Sequence, residues 1–134
     1  MRKEKSIGNR GEAIARRFLE GRGCKFLEQN YHALGGEIDL IFLDTEKDEY
    51  VIVEVKTRCS DAFGEGEVSI TPAKFEKILS AAEDFFLRKL EIKEIPFFRI
   101  DAVIVRIDGA KIFCQHIEDI GLDDFSTPCN EKYF

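Results

Sequence analysis

The chain of 134 residues has few side chains suited to soft metals or to covalent cross-links. It contains two histidines and four cysteines, and no pair of cysteines has C-x-x-C spacing. This pattern favours neither a zinc site nor a disulfide framework. We therefore expect reduced thiols in a cytoplasmic protein.

Long apolar runs are also missing. No stretch approaches the ~20 apolar residues that a membrane helix needs, and the basic residues 1–6 are not followed by the apolar segment of a signal peptide. We therefore expect no membrane association. The hydrophobic content of 44% and the twelve phenylalanines indicate instead a single folded domain with its own core.

Charge is unevenly distributed along the chain. The formal net charge of −6 taken alone argues weakly against a nucleic-acid partner. Residues 1–25, however, carry eight basic and three acidic side chains, whereas residues 115–134 carry five acids and one lysine. The basic first segment makes Arg10, Arg16 and Arg17 candidates for nucleic-acid binding, although a solvated basic helix face accounts for them equally well.

Hydrophobic periodicity predicts an α/β fold in which helices flank a mixed β-sheet, in the order α-β-β-β-α-β-β. The first predicted elements are a helix from Ser6 to Glu20, a strand from Cys24 to Tyr31 and a turn from His32 to Gly36. Two strands follow between Gly35 and Arg58, and the polar segment from Asp44 to Glu49 separates them. The remaining elements are a helix from Thr71 to Leu90, a strand from Phe97 to Ile107, a turn at Asp108-Gly109 and a strand from Ala110 to Ile117. We expect one domain over residues 1–117 and an acidic tail over residues 118–134. The loop from Thr57 to Ser69 lacks the G-K-[ST] sequence of a phosphate-binding loop, and it is interpreted either as a flap over a site or as an ordinary connection.

The two central strands carry charged side chains among apolar ones. Because side chains alternate between the faces of a strand, Glu37 and Asp39 share one face. Glu54 and Lys56 share one face of the next strand for the same reason. The surrounding residues are apolar enough for both faces to be buried, and ionised groups there cost several kcal/mol each unless they are paired or bound to a metal.

A hard divalent cation would account for these carboxylates. Mg²⁺ (or Mn²⁺) takes oxygen ligands, commonly one or two carboxylates together with water and phosphate oxygens. Asp39 and Glu54 are the candidate carboxylate ligands, and the backbone carbonyl of Val55 is a further one. Glu12 of the first helix can complete the site through water. Lys56 is the candidate for orienting an attacking water and balancing charge on the phosphate.

The same charged residues also fit purely structural roles. A Glu-x-Lys sequence is weak evidence alone, because Glu91–Lys93 repeats it in a polar linker. The acids can instead form an ion network with Lys56, Arg58 and Arg99, or their strand face can be open to water. Glu12 can likewise be an exposed helix acid that pairs with Arg16.

The motifs occur in an order that resembles a known superfamily. Asp39 followed by Glu54-Val55-Lys56, behind a helix with Glu12, resembles the PD-(D/E)xK nucleases, which include archaeal Holliday-junction resolvases. The more specific resemblance is to the YraN-like family of small bacterial proteins, and it is carried by Gly8-Asn-Arg-Gly-Glu12-Ala, Asn30-Tyr31, Gly36-Glu-Ile-Asp-Leu40-Ile, Val53-Glu-Val-Lys56-Thr-Arg58 and Lys74. Ile38 stands where the superfamily name has proline.

This resemblance implies a restriction-endonuclease-like core with Glu12, Asp39, Glu54 and Lys56 as catalytic residues. Glu37, Lys74 and Arg58 are expected to support them. Lys74 is unusual for a structural residue because the dipole at the start of a helix disfavours a cation, although a lone exposed lysine is the ordinary case.

The leading functional hypothesis is a Mg²⁺-dependent endonuclease acting on structured or branched DNA. The alternative is a catalytically inactive nuclease-fold protein that binds nucleic acid or a protein partner, and a purely structural role comes third. By analogy with enzymes that cut branched DNA as twofold dimers, we expect a homodimer.

Overall fold

A computed structural model of the protein describes residues 2–59 and 70–121, with side chains from residue 8 onward. Its elements are α1 (Arg2–Gly21), β1 (Cys24–Ala33), β2 (Gly36–Asp44), β3 (Glu49–Cys59), α2 (Pro72–Asp84), a π-helical turn (Phe85–Lys89), β4 (Phe98–Asp108) and β5 (Lys111–Ile117). This order confirms the predicted α/β fold. Neither helix in the described ranges is both long and apolar enough to cross a membrane.

The five strands form one mixed sheet in the order β1-β2-β3-β4-β5. Strands β3 and β4 are parallel, and every other neighbouring pair is antiparallel. A parallel pair needs a long crossover connection, and α2 lies on the crossover between these two strands.

Each face of the sheet packs against one helix. Ile52 and Ile100 belong to a buried cluster with Phe75 and Ile78 of α2. The opposite face has its own cluster, in which strand residues such as Val53 pack with residues of α1. The central strands are therefore buried on both sides, which explains why their sequences are nearly continuous apolar runs.

The turn between β1 and β2 is tighter than predicted. His32 and Ala33 are not in the turn but pair with Glu37 and Gly36, so the connection is only Leu34-Gly35. Gly36 is needed because a Cβ there would lie 2.5 Å from the carbonyl oxygen of Lys77 in α2. The hairpin thus lies directly on α2.

The second hairpin turn is shifted by one residue from its predicted position. Asp108 pairs with Lys111, so the turn is Gly109-Ala110 rather than Asp108-Gly109. Gly109 has a φ of 61°, a left-handed conformation that glycine adopts without steric cost.

Helix α2 begins as predicted and ends differently. The Thr71 side chain accepts a hydrogen bond from the backbone N–H of Lys74, and proline follows it at the first helical position. The last turn is π-helical, with the Leu90 N–H bonded to the Phe85 carbonyl. The wider turn lets the consecutive residues Phe85 and Phe86 both be buried.

The first residues of the acidic tail remain in contact with the sheet. Ile120 is buried in the α2-side cluster, and its N–H donates to the carbonyl of Ile100. The rest of the tail, residues 122–134, and residues 60–69 of the predicted flap lie outside the described residues.

Candidate active site

The strands β2 and β3 separate where the predicted acids lie. Their pairing runs from Asp44 opposite Glu49 to Leu40 opposite Val53 and does not continue to Asp39. The backbone N–H of Val55 donates instead to Oδ2 of Asp39 at 2.8 Å. The Asp39 carboxylate is therefore held against the backbone of β3.

Glu54 is a buried carboxylate with two lysine partners. The residue is 6% exposed, and its Oε2 lies 3.4 Å from Nζ of Lys56 and 3.8 Å from Nζ of Lys74. These ammonium groups offset the cost of burying the charge. They also account for Lys74 at its unusual helix position, because it reaches back from α2 to β3.

Glu12 approaches the same carboxylates from α1. Burial raises the pKa of Glu12, a hydrogen bond from Asn30 lowers it, and the charges of Glu37 and Glu54 raise it further. Its Oε1 is buried without a hydrogen-bond partner among the described residues. Buried polar atoms usually have a partner, so this oxygen is suited to a water or a cation.

The backbone around Glu12 allows this approach. Gly11 lies against Thr57 of β3, where an added Cβ would overlap the threonine hydroxyl. On the other side, Asn30 has a φ of 52°, which asparagine tolerates better than most residues. Sequence reasoning missed the contact between Asn30 and Glu12, and its only signal was the Asn30-Tyr31 motif of the family resemblance.

Among the predicted catalytic residues, Asp39 has a carboxyl group whose pKa is strongly raised. Burial and then the charge of Glu54 raise its pKa from 3.8 to about 7. The Val55 N–H lowers the pKa, Glu12 raises it and Lys74 lowers it again. Such shifts concentrate at functional sites because binding and catalysis require crowded charges.

The oxygen donors here are of the types that a hard cation takes. Within residues 2–59 and 70–121, no three His, Cys, Asp or Glu side chains are arranged to hold a metal ion by themselves. Mg²⁺ commonly takes only one or two carboxylates and completes its shell with waters and other oxygens. Asp39 and Glu54 supply that number, the Val55 carbonyl is on the same strand as Glu54, and Glu12 has its unpartnered oxygen.

Two further predicted residues, Glu37 and Arg58, have contacts of their own. Glu37 is at the exposed rim, with its Oε2 3.5 Å from Nδ1 of His32. Sequence reasoning missed His32 because it assigned this residue to a turn. Arg58 donates to the carbonyl of Thr57 at 3.3 Å.

The basic residues of α1 differ in their surroundings. Arg10 and Arg17 are exposed. Arg16 does not pair with Glu12; its Nε lies 3.4 Å from Glu20, and its guanidinium stacks 3.5 Å from the ring centre of Phe26. A nucleic-acid contact of these arginines stays a prediction.

Part of the ion network that was an alternative for these acids is present, because Glu54 pairs with Lys56, and a second network surrounds Arg99. Arg99 is buried and donates to Asp44 at 3.1 Å, Glu49 at 3.0 Å and Asp101 at 3.0 Å. Arg99 and Asp101, two residues apart on β4, are therefore direct partners. Asp44 is five residues from Asp39 along β2, roughly 16 Å at the rise of a strand, so the two charge clusters occupy different parts of the sheet.

Comparisons with known proteins match most of this chain. The profile of a family described as "Uncharacterised protein family UPF0102" matches residues 11–105. A UPF0102 protein of Ralstonia pickettii is 41% identical over 110 residues, which are 80% of this chain and 84% of that protein. UPF0102 proteins of Vibrio parahaemolyticus and Clostridium perfringens are 36% and 37% identical, over 81% and 86% of this chain and 88% and 93% of their own lengths.

Proposed function

The chain belongs to the UPF0102 family, and we propose that it is a metal-dependent nuclease that hydrolyses phosphodiester bonds in structured or branched DNA. The family assignment confirms the resemblance to the YraN-like small bacterial proteins, and its description leaves the activity open. The observation that carries the proposal is the buried Glu54 carboxylate between two lysine ammoniums, beside Asp39 at the point where β2 and β3 separate.

The proposed cofactor is Mg²⁺ or Mn²⁺, held by the carboxylates of Asp39 and Glu54. The carbonyl of Val55 is a further ligand, and Glu12 binds through water. A bound divalent cation lowers the pKa of a coordinated water and neutralises charge on a phosphate oxygen.

The lysines would act on the reacting phosphate. The Lys56 ammonium lies 3.4 Å from Glu54 and is partly exposed, with 27% of its side chain accessible. It can therefore orient an attacking water and stabilise the charge that develops on the phosphate. Lys74 lies on the α2 side of the same carboxylate and contributes a second positive charge.

The two Glu-x-Lys sequences of the chain, Glu54–Lys56 and Glu91–Lys93, differ in their burial. Glu91 and Lys93 are both exposed, and an exposed pair stabilises a protein by little. Glu54 is buried in the sheet, where a charge costs several kcal/mol unless it is paired, and its partners here are Lys56 and Lys74. This contrast favours a functional role for Glu54 and Lys56.

A cleavage assay with matched variants tests the proposal. Labelled four-way junction, flap and duplex DNA are incubated with the protein in Mg²⁺, Mn²⁺ or EDTA. We expect cleavage that requires metal, that is lost in Asp39→Ala and Glu54→Ala, and that falls about 10²-fold or more in Lys56→Ala. Glu91→Gln and Lys93→Ala are the matched controls and should cleave normally. Cleavage that survives in Asp39→Ala would come from a contaminant or another site, and the assignment would be wrong.

A catalytically inactive protein with this fold is the second candidate. The net charge of −6 and the lack of a complete metal-ligand set among the described side chains favour it. Calorimetry with Mn²⁺ distinguishes the two, because an inactive binding protein with no metal site would give no heat of binding. The homodimer expected by analogy is tested by the mass of the purified protein in solution.

A further inference from the structure

A pocket beside the candidate active site is not used by the proposed chemistry. It has a volume of about 420 Å³ and lies between the β1–β2 hairpin and α2. Its walls include His32, Leu34, Glu37, Lys74 and Lys77. The backbone at Gly36 lies against the Lys77 carbonyl, so the hairpin packs directly on the helix beside the pocket.

The charge of the pocket suits an anion. Lys74 and Lys77 are three residues apart on α2, so their side chains lie on the same side of the helix. The one carboxylate in the wall, Glu37, has its Oε2 3.5 Å from Nδ1 of His32. A protonated His32 would offset the charge of this carboxylate, and the two lysines outnumber it.

Lys74 connects the pocket to the candidate active site. Its ammonium lines the pocket and also lies 3.8 Å from Oε2 of Glu54. An anion in the pocket would therefore be a close neighbour of a phosphate at Asp39 and Glu54. Successive phosphates along a nucleic-acid strand are regularly and closely spaced, so one strand can place neighbouring phosphates at both positions.

We propose that this pocket binds the backbone phosphate next to the one that is cleaved, with the Lys77 ammonium as its main contact. The inference rests on the proposed nuclease function and deepens it by naming a substrate subsite. Lys74 contacts the substrate at the boundary between the two positions.

Leu34 adds a preference for strands with unstacked bases. It is fully exposed at the tip of the hairpin and forms part of the pocket wall. Apolar side chains can insert between base steps and partly unstack them, at a cost that is lower where the bases are already unpaired. The subsite therefore favours a branched or unpaired strand over a regular duplex.

DNA binding measured without cleavage tests the subsite. Fluorescence anisotropy of a labelled four-way junction and a labelled duplex is recorded in EDTA at several salt concentrations. Lys77→Ala should weaken binding about threefold to tenfold and lower the slope of log K against log salt by about one. Lys93→Ala, which removes an exposed lysine outside the pocket, should change neither quantity.

Leu34→Ser separates the apolar contact from the ionic one. It should leave the salt slope unchanged and lower the ratio of junction to duplex affinity by about threefold or more. Phe97→Ser removes another highly exposed apolar side chain and should leave this ratio unchanged. Thermal unfolding of each variant verifies that the fold is intact.

The outcomes distinguish this inference from the proposed function. Equal affinity and equal salt slope for wild type and Lys77→Ala overturn the subsite, and so does a wild type that binds neither DNA. A wild type that binds through Lys77 and never cleaves supports the subsite and overturns the nuclease. If the wild type cleaves DNA and Lys77→Ala cleaves it with the same KM, the nuclease is supported and the subsite is overturned.

Discussion

At the scale of single residues, the protonation of Asp39 would control the affinity of the proposed site for a cation. Burial and the neighbouring charges of Glu54 and Glu12 raise its pKa to about 7. A carboxyl group must lose its proton before it binds a metal ion, so protons and cations compete for it. Metal binding should therefore depend on pH in the range near neutrality.

Mn²⁺ affinity should fall below pH 7 because Asp39 then holds a proton. We expect a loss of up to about tenfold per pH unit between pH 7 and pH 5, as one bound proton requires. Calorimetry from pH 5 to pH 8.5, in buffers of different ionisation heat, measures both the affinity and the proton released. Glu37→Gln at the exposed rim is the control and should keep this dependence. A pH-independent affinity would show that Asp39 does not bind the ion.

The same residue should make the metal-free protein less stable as pH rises. The folded-state pKa of Asp39 lies above its unfolded value of about 3.8, so the folded state holds the proton more tightly. The stability that this proton contributes is present near pH 4 and is lost as pH rises through 7. This sign is the opposite of that for a carboxylate stabilised by a salt bridge.

Asp39→Asn should stabilise the metal-free protein at pH 8. Asparagine keeps an oxygen that accepts from the Val55 N–H and removes the buried charge, so we expect a gain of about 0.5–2 kcal/mol and a rise of a few °C in Tm. At pH 5 the difference should be smaller, because Asp39 in the folded wild type is then protonated, and it should vanish only near the unfolded pKa of about 3.8. Thermal unfolding in EDTA at both pH values is the measurement. An equal or lower Tm for the variant at pH 8 would contradict the crowded-charge account.

At the scale of secondary-structure elements, the contact between α1 and β3 positions Glu12. Gly11 lies so close to Thr57 that any Cβ would overlap its hydroxyl and approach its Cβ to 3.0 Å. Threonine is branched at Cβ and cannot easily rotate away. By contrast, Gly8 in the same helix has nothing within 4 Å of an added Cβ.

The same substitution at these two glycines should have opposite effects. Gly11→Ala should destabilise the fold by about 1–3 kcal/mol through overpacking and weaken Mn²⁺ binding by moving Glu12. Gly8→Ala should stabilise the fold by about 0.5–1 kcal/mol, because alanine is the better helix former. Urea unfolding measures both. Thr57→Ala should rescue the Gly11→Ala variant in a double-mutant cycle, and a cycle with no coupling would rule out this contact.

Residues marked by a local sequence pattern were predicted from the sequence, whereas contacts between elements that are distant in the chain were missed. Alternation along the strands identified Asp39 and Glu54, because a charge in an apolar strand is visible without the fold. The contact of Lys74 with Glu54 crosses from α2 to β3, and only the unfavourable helix position of the lysine hinted at it. The hairpin register, which brings His32 to Glu37, depends on the close packing of Gly36 on α2 and has no signal in the local sequence.

At the scale of the whole molecule, the described part of the sheet contains two charge clusters with different construction. Around Glu54 a buried carboxylate has cations beside it, and the nearby Glu12 oxygen has no described partner. Around Arg99 one guanidinium contacts carboxylates of β2, β3 and β4. Burial alone would lower the pKa of Arg99, but its bonds to Asp101 and the other carboxylates raise it. The second cluster therefore serves to hold the strands together.

Arg99→Met should destabilise the protein without changing its site. Removing the guanidinium leaves Asp101 buried, with His116 and the Asp119 N–H as its remaining described partners, and breaking a buried pair in this way costs about 3–5 kcal/mol. Arg88→Met is the control: its pairing with Asp84 is on the surface, with 82% of the arginine side chain exposed, so we expect a loss within about 0.5 kcal/mol.

Mn²⁺ affinity separates this structural role from a role in the site. At a temperature where Arg99→Met is folded, its affinity should equal that of wild type, because Arg99 is not a proposed ligand and is not among the largest causes of the Asp39 pKa shift. A loss below about 1 kcal/mol in urea unfolding would show that the network does not hold the strands. Lower Mn²⁺ affinity in the folded variant would mean instead that the two clusters are coupled through β2 and β3, and the site would then extend to both ends of the sheet.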